Sequence, residues 1–179
     1  MTFEGTPQKA WSFHVVEDPA PQGSKSAKGW HGGRIVLVES SKRVAPWREA
    51  VVAAAFGAGP RLDGPLAAGM VFALRRPVSA RKRDVAPYRT PDLSKLARST
   101  EDAITTAGLW ADDARVTAYY PLVKAFAGWP VPGLLDVTVP VPGAVVACAQ
   151  LGPGAFELVA ELLAKEAAAM QAQAVRYSA

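Results

Sequence analysis

The stretch TPDLSKLARSTEDAITTAGLWADDARV, residues 90–116, decides how this chain is read. Leu93, Leu96, Ala97, Ala103, Ile104 and Ala107 recur at the period of a helix with one buried face. Pro91 and Asp92 suit the start of that helix, and Gly108 suits its end. The spacing predicts a helix over 92–107, with Ser94, Lys95, Arg98, Glu101 and Asp102 on the other side. Glu101 is expected in solvent, without a role. Trp110 is expected in the core where the chain turns, and 114–128 reads as a strand bent near Pro121.

Working outward, WSFHVVE (11–17) and RIVLVES (34–40) have the β-branched content of strands, separated by a loop rich in Pro, Gly, Ser and Lys. A helix is predicted over 44–57, capped by Ser40 or Ser41 or beginning after Pro46, with Trp47, Val51, Ala54 and Ala55 on one face. LAAGMVFALRR (66–76) and LLDVTVPV (134–141) read as strands. Residues 156–177 read as a C-terminal helix whose apolar Phe156, Val159, Leu162 and Leu163 would cover the core or strengthen a dimer. The expected class is α/β (α+β): one domain with a mixed sheet packed against helices 44–57 and 92–107, and a C-terminal helix appended.

The 179 residues, 50% hydrophobic and 20% charged, suit one soluble globular domain. Neither a secretion signal nor an apolar run of membrane-spanning length is read, so a cytoplasmic protein with no membrane partner is expected. Cys148 is the only cysteine, which excludes an intrachain disulfide and a cysteine-based zinc site. His14 and His31 form no metal-binding pattern.

The net charge of +4 is unevenly spread. Between Arg75 and Arg98 eight basic residues face only Asp84 and Asp92, so this segment carries +6; the rest, with twelve basic and fourteen acidic residues, carries −2. Such a segment is either a solvated loop or a surface for a polyanion. Arg75, Arg76, Arg81, Lys82, Arg83, Arg89 and Lys95 are the candidates for the DNA backbone, and Lys42, Arg43 and Arg48 would extend them. Lys25, Lys28 and Arg34 would touch phosphate or solvate their loop, and Trp129 sits in a turn where it could stack on a base.

The acids carry a second possibility. A hard cation such as Mg²⁺ takes one or two carboxylates and keeps waters, and it can activate water against a phosphodiester. A strand returning beside helix 92–107 would bring Asp92 towards Asp112 and Asp113, inside a basic rim. Each acid also has a purely structural reading: Asp92 as a cap, Asp102 as the ion-pair partner of Arg98, Asp112 and Asp113 as turn residues.

Residues 89–117 resemble the signature of the RusA-type Holliday junction resolvases, metal-dependent endonucleases of bacteria and phages. That signature has a basic stretch, then P-D-(L/I)-D-(N/K)-L-x-(K/R), then D-A-(L/I), then G-x-W-x-D-D-x-x-(V/I). The counterparts here are Pro91 to Arg98, Asp102-Ala103-Ile104, and Gly108 to Asp113 with Val116, without a gap. PAPQGSK (19–25) and VESSKRVAPWREAV (38–51) resemble the family's early loop and first helix, so the likeness spans roughly residues 11–148. It implies an endonuclease domain over 1–150 with a helical extension at 151–179. It implies a homodimer that resolves four-way junctions or other branched DNA by hydrolysis with Mg²⁺ or Mn²⁺. Asp92 and Asp113, with Asp112 beside it, fall on metal-binding positions, and Arg98 falls on the catalytic lysine.

Ser94 falls where the family has its second metal-binding aspartate. A neutral hydroxyl there weakens a Mg²⁺ site. The alternatives are a substitution that silences the enzyme, recruitment of another acid (Asp112 better placed than Asp102), or a protein that binds branched DNA without cutting it.

Overall fold

LAAGMVFAL is buried from end to end, and it forms one of the two inner strands of the main sheet. The computed structural model describes residues 9–178 apart from 24, 32, 40 and 135. Its elements are β1 (Ala10–Val15), β2 (Lys25–His31), β3 (Arg34–Glu39), α1 (Val44–Ala55), β4 (Leu66–Leu74), α2 (Leu93–Ala107), β5 (Val116–Phe126), β6 (Gly143–Gln150) and α3 (Ala155–Ser178). A single 3-10 turn, Asp113–Arg115, leads into β5. The four-stranded sheet has the order β1-β6-β4-β5. β6 is antiparallel to both neighbours, whereas β4 and β5 are parallel and joined through α2, so the sheet is mixed as expected.

The two faces of the sheet are covered differently. Trp11, Phe13, Met70, Phe72 and Val146 point into a core shared with Trp47 and Val51 of α1 and Leu96 and Ile104 of α2. Ala67, Val71, Val145 and Ala147 face Val159, Leu163, Ala167 and Met170 of α3. The C-terminal helix therefore packs across one face, together with Val131, Val137 and Val139. Gly69 is needed for its close approach: a Cβ there would lie 2.6 Å from Val159 and 2.8 Å from Leu163. A polar clasp adds to the seam. Ser12 Oγ donates to Glu166 at 2.8 Å, while the His14 ring meets Glu166 at 2.8 Å and Gln173 at 2.9 Å.

Two strand assignments differ from the sequence reading. The segment expected to be loop contains β2, which pairs with β3 in a separate hairpin. Its Gly and Lys content hides a strand whose pairing is local. The strand expected at 134–141, of which residue 135 lies outside the described residues, is not formed by the rest, which show only an isolated bridge between Pro130 and Thr138; the strand is Gly143–Gln150. GAVVACAQ is covered on both faces, so it lacks the alternation of a half-exposed strand. Val137 and Val139 supply the β-like content of 134–141, and both are buried in the core on the α3 side of the sheet. The first helix begins at Val44 with Arg43 at its N-cap, not with Ser41; Ser40, the other expected cap, lies outside the described residues. Among the described residues, no helix is long and apolar enough to cross a membrane.

Candidate functional site

The 90–116 stretch folds much as its pattern requires. α2 buries Leu96, Ala97, Ala103 and Ile104, leaves Leu93 and Ala107 half-buried, and ends at Gly108, whose φ of 77° is left-handed. Ser99 and Thr100 are also fully buried. Ser99 Oγ donates to the Ala20 carbonyl at 2.6 Å, and Thr100 Oγ1 accepts from the Trp47 indole at 3.2 Å while donating to the Leu96 carbonyl. These bonds set the rotation of α2 about its axis. Trp110 is buried against Trp11, and its indole donates to Thr105 at 2.8 Å. It is a core residue, as expected.

That rotation turns Ser94, Arg98 and Glu101 to one stripe, at the spacing that aligns side chains along a helix. β5 runs back beside this stripe. The Tyr119 hydroxyl donates to the Glu101 carboxylate, and the Asp113 carboxylate lies close enough to act on it. Burial first, then the charges of Asp113 and Asp102, push the Glu101 carboxyl up to about 7, against the opposing pull of Arg98. Glu101 is thus no bystander in solvent. The sequence signal that could have found it is its position seven residues after Ser94, on the same stripe.

The other acids have separate duties. Asp92 stands at the N-cap of α2 without a side-chain capping bond and pairs with Lys95 at 3.3 Å. It is nine residues from Glu101, about 13 Å along a helix axis. Asp112 caps the 3-10 turn by accepting from the Ala114 amide at 2.8 Å. Asp102 pairs with Arg48 of α1 rather than with Arg98, the partner that its purely structural reading offered. Among the described residues, no three His, Cys, Asp or Glu side chains gather as a metal centre. Glu101 and Asp113 do suit a divalent cation. Mg²⁺ needs only one or two protein carboxylates beside waters and substrate phosphate, and a cation would offset the burial and the neighbouring charges that push the Glu101 carboxyl up.

The basic segment occupies the loop between β4 and α2, where Arg81, Lys82, Arg83 and Arg89 are exposed. Arg75 pairs with Asp18 at 2.8 Å. Arg76 turns inward: its guanidinium lies 5.6 Å from the Phe126 ring centre and 5.0 Å from that of Trp129, and it donates to the Arg81 carbonyl at 2.6 Å. Trp129 is accordingly half-buried under an arginine. Lys124 of β5, which sequence reasoning missed, donates to the carbonyls of Arg89 and Pro91 at 2.6 and 2.8 Å and ties the loop to the start of α2. The side chains of Lys25, Lys28 and Arg34 lie outside the described residues. Cys148 is buried, and burial pushes its thiol up to about 12, so it is no nucleophile.

No family model matches the chain, and no curated protein is significantly similar to it.

Proposed function

We propose that this protein is a metal-dependent, structure-selective endonuclease that cuts four-way junctions or other branched DNA as a homodimer. The observation that carries the reading is two interacting carboxylates, Glu101 on the stripe of α2 that holds Arg98 and Asp113 in the turn that leads into β5, beside a basic loop. Asp113 and Glu101 would hold Mg²⁺ or Mn²⁺, with Glu101 in place of the acid that Ser94 lacks; Asp92 lies at the basic end of the same helix. Glu101 lies on the same helix stripe as Ser94 and Arg98, whereas Asp102 is paired with Arg48 of α1 and Asp112 caps the 3-10 turn, which favours Glu101 over either as the substitute. The bound cation would supply an activated water and screen the scissile phosphate. Arg98 offers a fixed positive charge to a phosphate oxygen but is no proton donor, because its pKa is too high. Arg81, Lys82, Arg83 and Arg89 would hold the backbone through charge alone. A two-fold dimer would present two equivalent sites to two strands of like polarity.

The test is cleavage of a synthetic four-way junction in Mg²⁺ or Mn²⁺. The chain should cut, Asp113→Asn should abolish cutting, and Glu101→Gln should lower it by about 100-fold or more. A second reading, a protein that binds branched DNA without cutting, is favoured by Ser94, a neutral side chain where the resemblance places a metal-binding acid. Binding without cleavage by the chain would establish that reading. If Ser94→Asp alone then restored cleavage, Ser94 would be the silencing residue and Glu101 would not be a substitute.

A further inference from the structure

A cavity of about 560 Å³ opens beyond the carboxyl ends of the parallel strands β4 and β5, with Leu74 and Phe126, their last residues, in its wall. That is where open sheets with parallel strands joined through helices place ligand sites, and the volume is within the range of small-molecule pockets. Its walls come from the Pro-rich segments 18–21 and 77–91. Prolines make a stiff apolar wall that loses little freedom when a ligand docks. Tyr88, 63% exposed, stands in the wall with the Arg89 guanidinium 5.4 Å from its ring centre.

The charges of the lining are unequal. Four arginines line the cavity against two aspartates, Asp18 and Asp84. Asp18 is spent on Arg75, and Asp84 accepts from the Arg81 backbone amide at 3.0 Å. Among the described residues, the guanidiniums of Arg43 and Arg81 have no acidic partner. A flat apolar wall with an exposed aromatic ring, beside two unpaired guanidiniums, fits a ligand that is planar at one end and anionic at the other.

We infer that this cavity binds one nucleotide outside a base stack, its base against Tyr88 and the proline wall and its phosphate on Arg43 and Arg81. An unstacked nucleotide at a DNA branch point and a free mononucleotide share that chemistry. The branch-point source rests on the nuclease reading above and is favoured by the position of the cavity inside the basic loop.

The experiment uses the fluorescent base 2-aminopurine in two probes, one at the branch point of a four-way junction and one as the free riboside 5′-monophosphate. Protein should change branch-point emission by about threefold or more, with little change at a mid-arm position. Ser79→Trp, which fills the cavity without altering its charge, should remove the change, and so should Tyr88→Ala; circular dichroism checks that both variants fold. A change that survives both variants overturns the inference, because unstacking would then happen elsewhere. Junction binding with no emission change, and no binding of the free nucleotide up to about 5 mM, also overturns it while leaving the nuclease reading intact. Binding of the free nucleotide that both variants abolish, with no junction binding, keeps the cavity as a nucleotide site and removes the nuclease reading. If neither probe binds, both fall.

Discussion

The Tyr119 hydroxyl of β5 donates a hydrogen bond to the Glu101 carboxylate of α2, and the charge of Asp113 acts on the same carboxylate. The arrangement ties the helix to the strand that returns beside it. It also holds a partly buried acid that folding favours in its neutral form.

The sign of the pH effect follows. In the unfolded chain Glu101 titrates near 4.5, and in the folded protein near 7. Below 4.5 it is protonated in both states and costs nothing. As pH rises from 4.5 through 7 the unfolded chain releases its proton first, so stability is lost across that window. Glu101→Gln should therefore match the parent at low pH and be more stable at pH 8 by roughly 1 kcal/mol, allowing for the solvent that reaches this half-buried group. Urea denaturation at several pH values measures it; equal stability at pH 8 would contradict the assignment.

Divalent cation should act on the same pair. Saturating Mn²⁺ should raise the Tm of the parent by a few degrees, through preferential binding to the folded state, and should do so less in Asp113→Asn. A scanning calorimeter reads both. An equal rise in the two proteins would place the cation elsewhere.

Arg48 and Asp102, rather than Arg98 and Asp102, join α1 to α2. Both side chains are about one-third exposed, at 34% and 35%, so the pair is worth little. A double-mutant cycle with Arg48→Ala and Asp102→Ala should give a coupling of about 0.5–1 kcal/mol, and the same cycle with Arg98→Ala should give none.

The helix α3 depends on close contact with the sheet. Gly69→Ala drives a methyl into Val159 and Leu163 and should cost about 1–3 kcal/mol. Glu166→Ala removes the shared partner of Ser12 and His14 and should cost about 1–3 kcal/mol by leaving polar groups unpaired at the seam. Thermal melts test both, and a neutral result at Gly69 would mean that α3 shifts freely.

Binding to DNA should be steeply salt-dependent. Replacing Arg81, Lys82 and Arg83 together by Ala should reduce the slope of log K against log salt by about 2–3 on duplex arms, while replacing the inward-turned Arg76 should change the slope by less than about 1. Filter binding at a series of salt concentrations measures both slopes.

By itself the sequence determined the elements whose apolar spacing is regular. α1, α2, α3, β1, β3, β4 and β5 were legible because their apolar residues recur at a period of 3.6 or form a run of strand-favouring residues. The acids and the basic segment were legible as a candidate site because charge and spacing are written in order along the chain. Only the tertiary structure decided the rest. β6 is buried on both faces like β4, but its run is short and rich in Gly and Ala, which are poor strand formers, and β2 is a strand only because β3 lies beside it. The partner of Asp102 and the surroundings of Glu101 depend on how α2 is rotated, which the buried bonds of Ser99 and Thr100 settle. The cavity beyond β4 and β5 exists because two distant strand ends and a Pro-rich loop meet there, and no local pattern records that meeting.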